Sequence, residues 1–165
     1  ARLTAIAPSH PRTLFRTREY AMRLTTRSNL AMRTLMYCAA HPGKIVRKTD
    51  IAKTCNVSEN HLAQVIHLLA RDGYLATQRG RSGGLQLARP ASQITVGAVF
   101  RSFEKVLPFT ECSEDRASTC PLAGVCRLKC VLGEALDAFY AKLDAVTVAD
   151  LVEGNLALQD LLKAA

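Results

Sequence analysis

The stretch from Lys48 to Arg89 constrains this chain more than any other. Lys48–Cys55 reads as a short helix with Thr49 or Asp50 at its N-cap. Asn56 and Val57 make a brief turn, and Ser58 caps a second helix over Glu59–Asp72. Along that helix Leu62, Val65, Ile66 and Leu69 fall at i, i+3, i+4 and i+7, one apolar stripe for burial. Gly73 stops it. Tyr74–Arg89 then holds two short strand-like runs around Gly80-Arg81-Ser82-Gly83-Gly84, a β-hairpin with a basic tip. Two short helices, a tight turn and a basic hairpin predict a winged helix-turn-helix.

The flanks extend this reading. Thr26–Ala40 is helical by the spacing of Leu30, Thr34, Leu35, Cys38 and Ala39, and His41-Pro42-Gly43 ends it. Thr95–Lys105 is a helix through Val96, Val99, Phe100 and Phe103, and Pro108–Cys126 reads as a loop. Arg127–Val146 is the longest predicted helix, about 30 Å at about 1.5 Å per residue, followed by a tail of two helical pieces, Val148–Val152 and Leu156–Leu162. Its seam of Leu132, Ala135, Leu136, Phe139, Leu143 and Val146 predicts a homodimer packed helix to helix, with intramolecular core packing as the alternative. The expected fold class is therefore mainly α with a small β-hairpin wing, a winged helix-turn-helix with a long C-terminal dimerisation helix. The expected divisions are a poorly ordered basic extension over 1–21, a DNA-binding domain over 22–107, a cysteine loop over 108–127, and the dimerisation helix and tail over 128–165.

Charge is distributed unevenly. Residues 1–90 carry a net +11 and residues 91–165 a net −3, which together make the +8 of the whole chain. A basic half beside a mildly acidic one suits a nucleic-acid reader with a separate sensing or assembly region. Residues 1–21 are Arg-rich, with two prolines and one acid, Glu19. That composition resembles a transit peptide, although a tail or an upstream start before Met22 is the plainer account. With 48% hydrophobic residues the chain has material for a core of its own, and no apolar run approaches the roughly 20 residues of a membrane-spanning helix.

In a helix-turn-helix the second helix enters the major groove and its N-terminal residues meet base edges. Burial of the Leu62 stripe leaves Ser58, Asn60, His61, Gln64 and His67 available. Asn and Gln pair bidentately with adenine. Arg27, Arg79, Arg81 and Ser82 are expected at phosphates or, for the hairpin tip, in a minor groove. His61 and His67 read as surface polar residues rather than metal ligands. The expected partner is a palindromic double-stranded operator, its half-sites about 34 Å apart.

Four of the six cysteines crowd into Cys112-x7-Cys120-x5-Cys126-x3-Cys130. No secretory core precedes them, so reduced thiols in the cytoplasm are expected rather than disulfides. Thiolates on one loop can converge on a soft-metal centre. An iron–sulfur cluster tolerates these wide spacings. Structural zinc usually draws on closer pairs, of which Cys126/Cys130 is the nearest approach, and a thiol switch is a further alternative. Cys38 and Cys55, on helices among apolar neighbours, read as packed structural thiols. No glycine fingerprint, Ser/His/Asp set or paired carboxylates suggest an enzyme.

Taken together, these residues resemble the iron–sulfur winged helix-turn-helix transcription regulators, the family with NsrR-, RirA- and IscR-like branches. The likeness runs from Met22 to the C-terminus. It is carried by MRLTTRSNLAMRTLMY at 22–37, RGRSGGLQLARP at 79–90, the three-cysteine loop, and CRLKCVLGEALDAFYAKLDAVTVADLV at 126–152. The resemblance implies a homodimeric repressor whose cluster, 4Fe–4S rather than 2Fe–2S, is bound by Cys112, Cys120 and Cys126 and sets its affinity for DNA. The 126–152 segment looks most like NsrR, which implies nitric-oxide sensing. Asn29 stands where NsrR-type proteins can supply a ligating acid, while the wide Cys112–Cys120 gap and the MYCAA segment look more like RirA, an iron-responsive repressor. IscR-type proteins place a His where this chain has Lys129, so that branch fits least.

Overall fold

A computed structural model describes residues 25–80, 83–104, 120–122 and 125–163. In chain order the elements are α1 (Thr26–Ala39), α2 (Lys48–Cys55), α3 (Glu59–Arg71), β1 (Leu75–Gln78), β2 (Gly84–Leu87), a 3-10 turn at Ala91–Gln93, α4 (Val96–Glu104), α5 (Arg127–Asp144), α6 (Val148–Val152) and α7 (Leu156–Lys163). The fold is mainly helical with one two-stranded antiparallel hairpin, as the spacing of apolar residues predicts.

Local chemistry accounts for the ends of the first three helices. Thr25 caps α1 by accepting from the Ser28 N–H, and Ser58 caps α3 by accepting from the His61 N–H. Between α2 and α3, Asn56 takes a left-handed conformation (φ 51°) that lets its own N–H and that of Val57 return to the carbonyls of Lys53 and Ala52. Asn tolerates this region better than most side chains. Gly73 (φ 74°) ends α3, and Tyr74 N–H then reaches back to the Leu69 carbonyl at 2.8 Å.

The start of α2 differs from expectation. Its N-cap is Arg47, with no side-chain cap, rather than Thr49 or Asp50. Val46 exchanges both backbone hydrogen bonds with Leu85 of β2 at 2.9 Å, which holds the chain extended up to the first helical residue. Gly84 permits this contact, because a Cβ there would collide with the Val46 carbonyl. The hairpin itself pairs Leu75 with Leu87 and Gln78 with Gly84.

The core centres on α1. Leu30 and Leu35 are buried with Leu62, Val65 and Leu69 of α3, Val99 and Phe100 of α4, and Val148 of α6. Backbone bonds from Val96 to the Val146 carbonyl (2.8 Å) and from Val148 to the Ile94 carbonyl (2.9 Å) tie the entry to α4 to the exit from α5. The tail folds back on this head: Val148 and Val152 of α6 and Leu162 of α7 all enter the core. Helix α5 behaves differently. None of its 18 residues is buried. Only its C-terminal end packs on the head, through Tyr140 and Leu143, with Val146 just beyond it, while Leu128 (61% exposed) and Val131 (58%) face outward. The intramolecular alternative for the α5 seam is thus met at its C-terminal end. Among the described residues no helix is long and apolar enough to cross a membrane.

Candidate nucleic-acid interface and cysteine segment

Burying the Leu62–Leu69 stripe turns the opposite face of α3 outward. Asn60, Gln64 and His67 are exposed and His61 is half-buried. Ser58 is exposed as well, but its hydroxyl oxygen is engaged in the cap, at 3.3 Å from the His61 nitrogen. Arg27 is exposed on the first turn of α1, and Arg79 is exposed just after β1. Arg81 and Ser82, between β1 and β2 in the sequence, lie outside the described residues, as does Cys112.

An open groove of about 590 Å³ runs between the start of α2, the Ala63–Ile66–His67–Ala70 flank of α3 and the hairpin, and Asn60 and Gln64 are not among its lining residues. Arg47, Lys48, Thr49, His67, Thr77 and Gln78 contribute its polar lining, and Gly83 and Gly84 bring the hairpin backbone close. His67 and the hairpin therefore share one concave, basic surface, whereas Arg27 is not among the residues lining it. Sequence reasoning missed Arg47, Lys48, Thr49 and Gln78 as site residues. The signal was the adjacent cationic pair ahead of α2, but the pairing of Val46 with Leu85 is what turns that pair toward the hairpin. Lys48 also meets Glu59 at 3.0 Å, a pair exposed enough to contribute little stability.

The cysteines divide into two environments. Cys38 and Cys55 are buried, at 4% and 8% exposure. Burial pushes the Cys38 thiol up to about 12. It raises that of Cys55 as well, against the opposing influence of Arg33. Cys120 and Cys126 are half-exposed, and Cys130 is exposed. Cys126 occupies the N-cap position of α5, yet its side chain makes no capping hydrogen bond. Among the described residues no three His, Cys, Asp or Glu side chains gather into a metal-binding group. Asn29 is exposed on the first turn of α1.

A capped outer helix, a left-handed turn before it and a hairpin beside it, joined in one core, define a winged helix-turn-helix DNA-binding protein. The chain belongs to the Rrf2 family, iron-dependent transcriptional regulators, whose pattern matches residues 24–154. It is 41% identical over 145 residues to the HTH-type transcriptional regulator NsrR of Geobacillus kaustophilus, covering 86% of this chain and 97% of that one. It is 42% identical over 141 residues to Protein aau3 of Rhizobium meliloti, covering 86% and 92%. Among solved structures, IscR of T. potens superposes with a TM-score of 0.65 at 26% identity, covering 80% of this chain and 87% of that one. The chain is accordingly a transcriptional regulator of NsrR-like sequence.

Proposed function

We propose that this regulator is a homodimeric repressor of palindromic DNA, gated by an iron–sulfur cluster and responsive to nitric oxide. The observation that carries this reading is the division of the thiols. Cys38 and Cys55 are buried among apolar side chains, whereas Cys120 and Cys126 are half-exposed and Cys126 stands at the N-terminus of a helix with no buried residue. The Cys126 side chain is not committed to capping. This donor chemistry fits a soft-metal centre held by Cys112, Cys120 and Cys126. When bound, a cluster of this kind supplies iron that reacts with small diatomic ligands.

The chain's own residues do the rest. Asn60 and Gln64 meet adenine edges in the major groove, with Ser58 and His61 beside them. Arg27, Arg79, Arg81 and Ser82 hold the phosphate backbone, joined by Arg47 and Lys48 from the groove. The exposed apolar side chains of α5, Leu128 and Val131 among them, cover one another across a two-fold axis. A second reading, an iron-responsive repressor, is favoured by Asn29, a neutral amide at the start of α1 and a poor substitute for a ligating carboxylate.

The test is anaerobic purification, a visible spectrum, and a nitric-oxide titration followed by binding to a duplex selected from a random library. A coloured protein that releases DNA on substoichiometric nitric oxide supports the proposal. Indifference to nitric oxide with loss of the cluster to an iron chelator favours the iron-responsive reading. A colourless protein holding stoichiometric zinc overturns both.

A further inference from the structure

The last turn of α4 is bonded to three other elements at once. Arg101 donates from both terminal nitrogens to the Asp144 carboxylate of α5, at 2.7 and 2.5 Å, and its guanidinium lies 4.3 Å from the centre of the Tyr140 ring. Ser102 donates its hydroxyl to Asp72, the residue that closes the reading helix α3. Glu104 accepts three bonds at one carboxylate oxygen. They come from the Thr25 N–H at 2.9 Å, the Thr25 hydroxyl at 3.0 Å and the Ser28 hydroxyl at 2.5 Å. Thr25 is the cap of α1, and Ser28 is fully buried. The start of the central helix, the end of the reading helix and the unpacked helix α5 therefore meet on four consecutive residues. Phe103, between the two polar contacts, is buried in the core and anchors the turn. Cys126 stands at the N-cap of α5, the helix whose last residue, Asp144, holds Arg101.

These contacts differ in kind from the apolar packing around them. Hydrogen bonds are directional, so a small rotation of α4 breaks or remakes them while Val99 and Phe100 stay buried. We infer that the terminal turn of α4 couples the cysteine segment to the reading helix, with Ser102 and Glu104 as positioning residues that set the pose of α3 against α1. In this arrangement a change at Cys126 passes along α5 to Asp144–Arg101, and from there reaches α3 through Ser102–Asp72 and α1 through Glu104. The role depends on the cluster-gated reading, since without gating there is nothing to couple.

The test compares full-length wild type, Ser102→Ala, Ser102→Thr and Glu104→Ala, each cluster-loaded and cluster-free, on a duplex selected with the wild-type protein. The readout is the ratio of DNA affinities of the two forms, with the visible spectrum and thermal melt confirming loading and folding. Ser102→Ala and Glu104→Ala are expected to stay loaded while the ratio falls toward one, by about fivefold or more. Ser102→Thr, which keeps the hydroxyl, restores it. If Glu104→Ala fails to fold, the Ser102 pair carries the test alone. Variants that leave the ratio at its wild-type value, whatever they do to stability, overturn the coupling role. A wild-type ratio of one overturns the gating reading itself and this role with it.

Discussion

At the scale of single residues, environment separates side chains of identical chemistry. The Cys38 thiol, held near 12 by burial, stays protonated at neutral pH, and its side chain has almost no contact with solvent. Cys120, Cys126 and Cys130 have no such cover. Brief iodoacetamide treatment of metal-free protein at neutral pH should therefore modify these three and spare Cys38, as read by peptide mass spectrometry. Equal modification of Cys38 would mean that the core around α1 opens readily. Glu104 yields a pH-dependent outcome. Burial raises its carboxyl, but hydrogen bonds from Ser28 and Thr25 outweigh that, and the net shift is downward. A depressed carboxylate contributes stability above its unfolded value, about pH 4, and loses it as pH falls through the lower folded value. Thermal melts should accordingly show wild type more stable than Glu104→Ala near neutrality, with the gap closing below about pH 4. A gap that persists in acid would assign the effect to packing instead.

At the scale of elements, the α4–α5 contact depends on one small residue. A methyl group added at Gly97 would overlap the Asp144 carboxylate and come 3.0 Å from the Asp144 backbone nitrogen. Gly97→Ala should therefore force α5 away from α4, at a cost of about 1–3 kcal/mol typical of overpacking, measurable by urea unfolding. The favourable helix propensity of Ala offsets at most about 1 kcal/mol of this, so a net stabilisation would show that the contact yields. Helix α3 was the most legible element from sequence, because a 3.6-residue apolar period and a Ser cap are both local signals. The N-cap of α2 was less so. Its position depends on a bridge between Val46 and Leu85, which lie far apart in the chain.

At the scale of the whole molecule, α5 is the element whose packing is least complete within one chain. Leu132 and Leu136 are half-exposed along it, and Leu128 and Val131 toward its N-terminus are exposed. Leu136→Glu should leave the head folded and convert a dimer to a monomer by sedimentation. Affinity for a two-half-site duplex should then fall on the order of a hundredfold, as the second contact ceases to be intramolecular. Unchanged mass and affinity would show that α5 does not carry the assembly.

The linear pattern of residues carries what short-range physics encodes. That includes the helices and their apolar stripes, the brief turn at Asn56-Val57, the glycine stop at Gly73, the hairpin and the uneven charge. It also showed which cysteines cluster along the chain, though not how Cys120 and Cys126 stand in space. Long-range packing put Arg47 and Lys48 in one groove with His67 and the hairpin. It alone brought the Glu104 carboxylate to Thr25 and Ser28, partners 79 and 76 residues away. The physical reason is one of range. Caps and periodicities act within a turn or two of the residue that carries them, whereas these contacts form only after the core around α1 has closed and fixed where each helix ends.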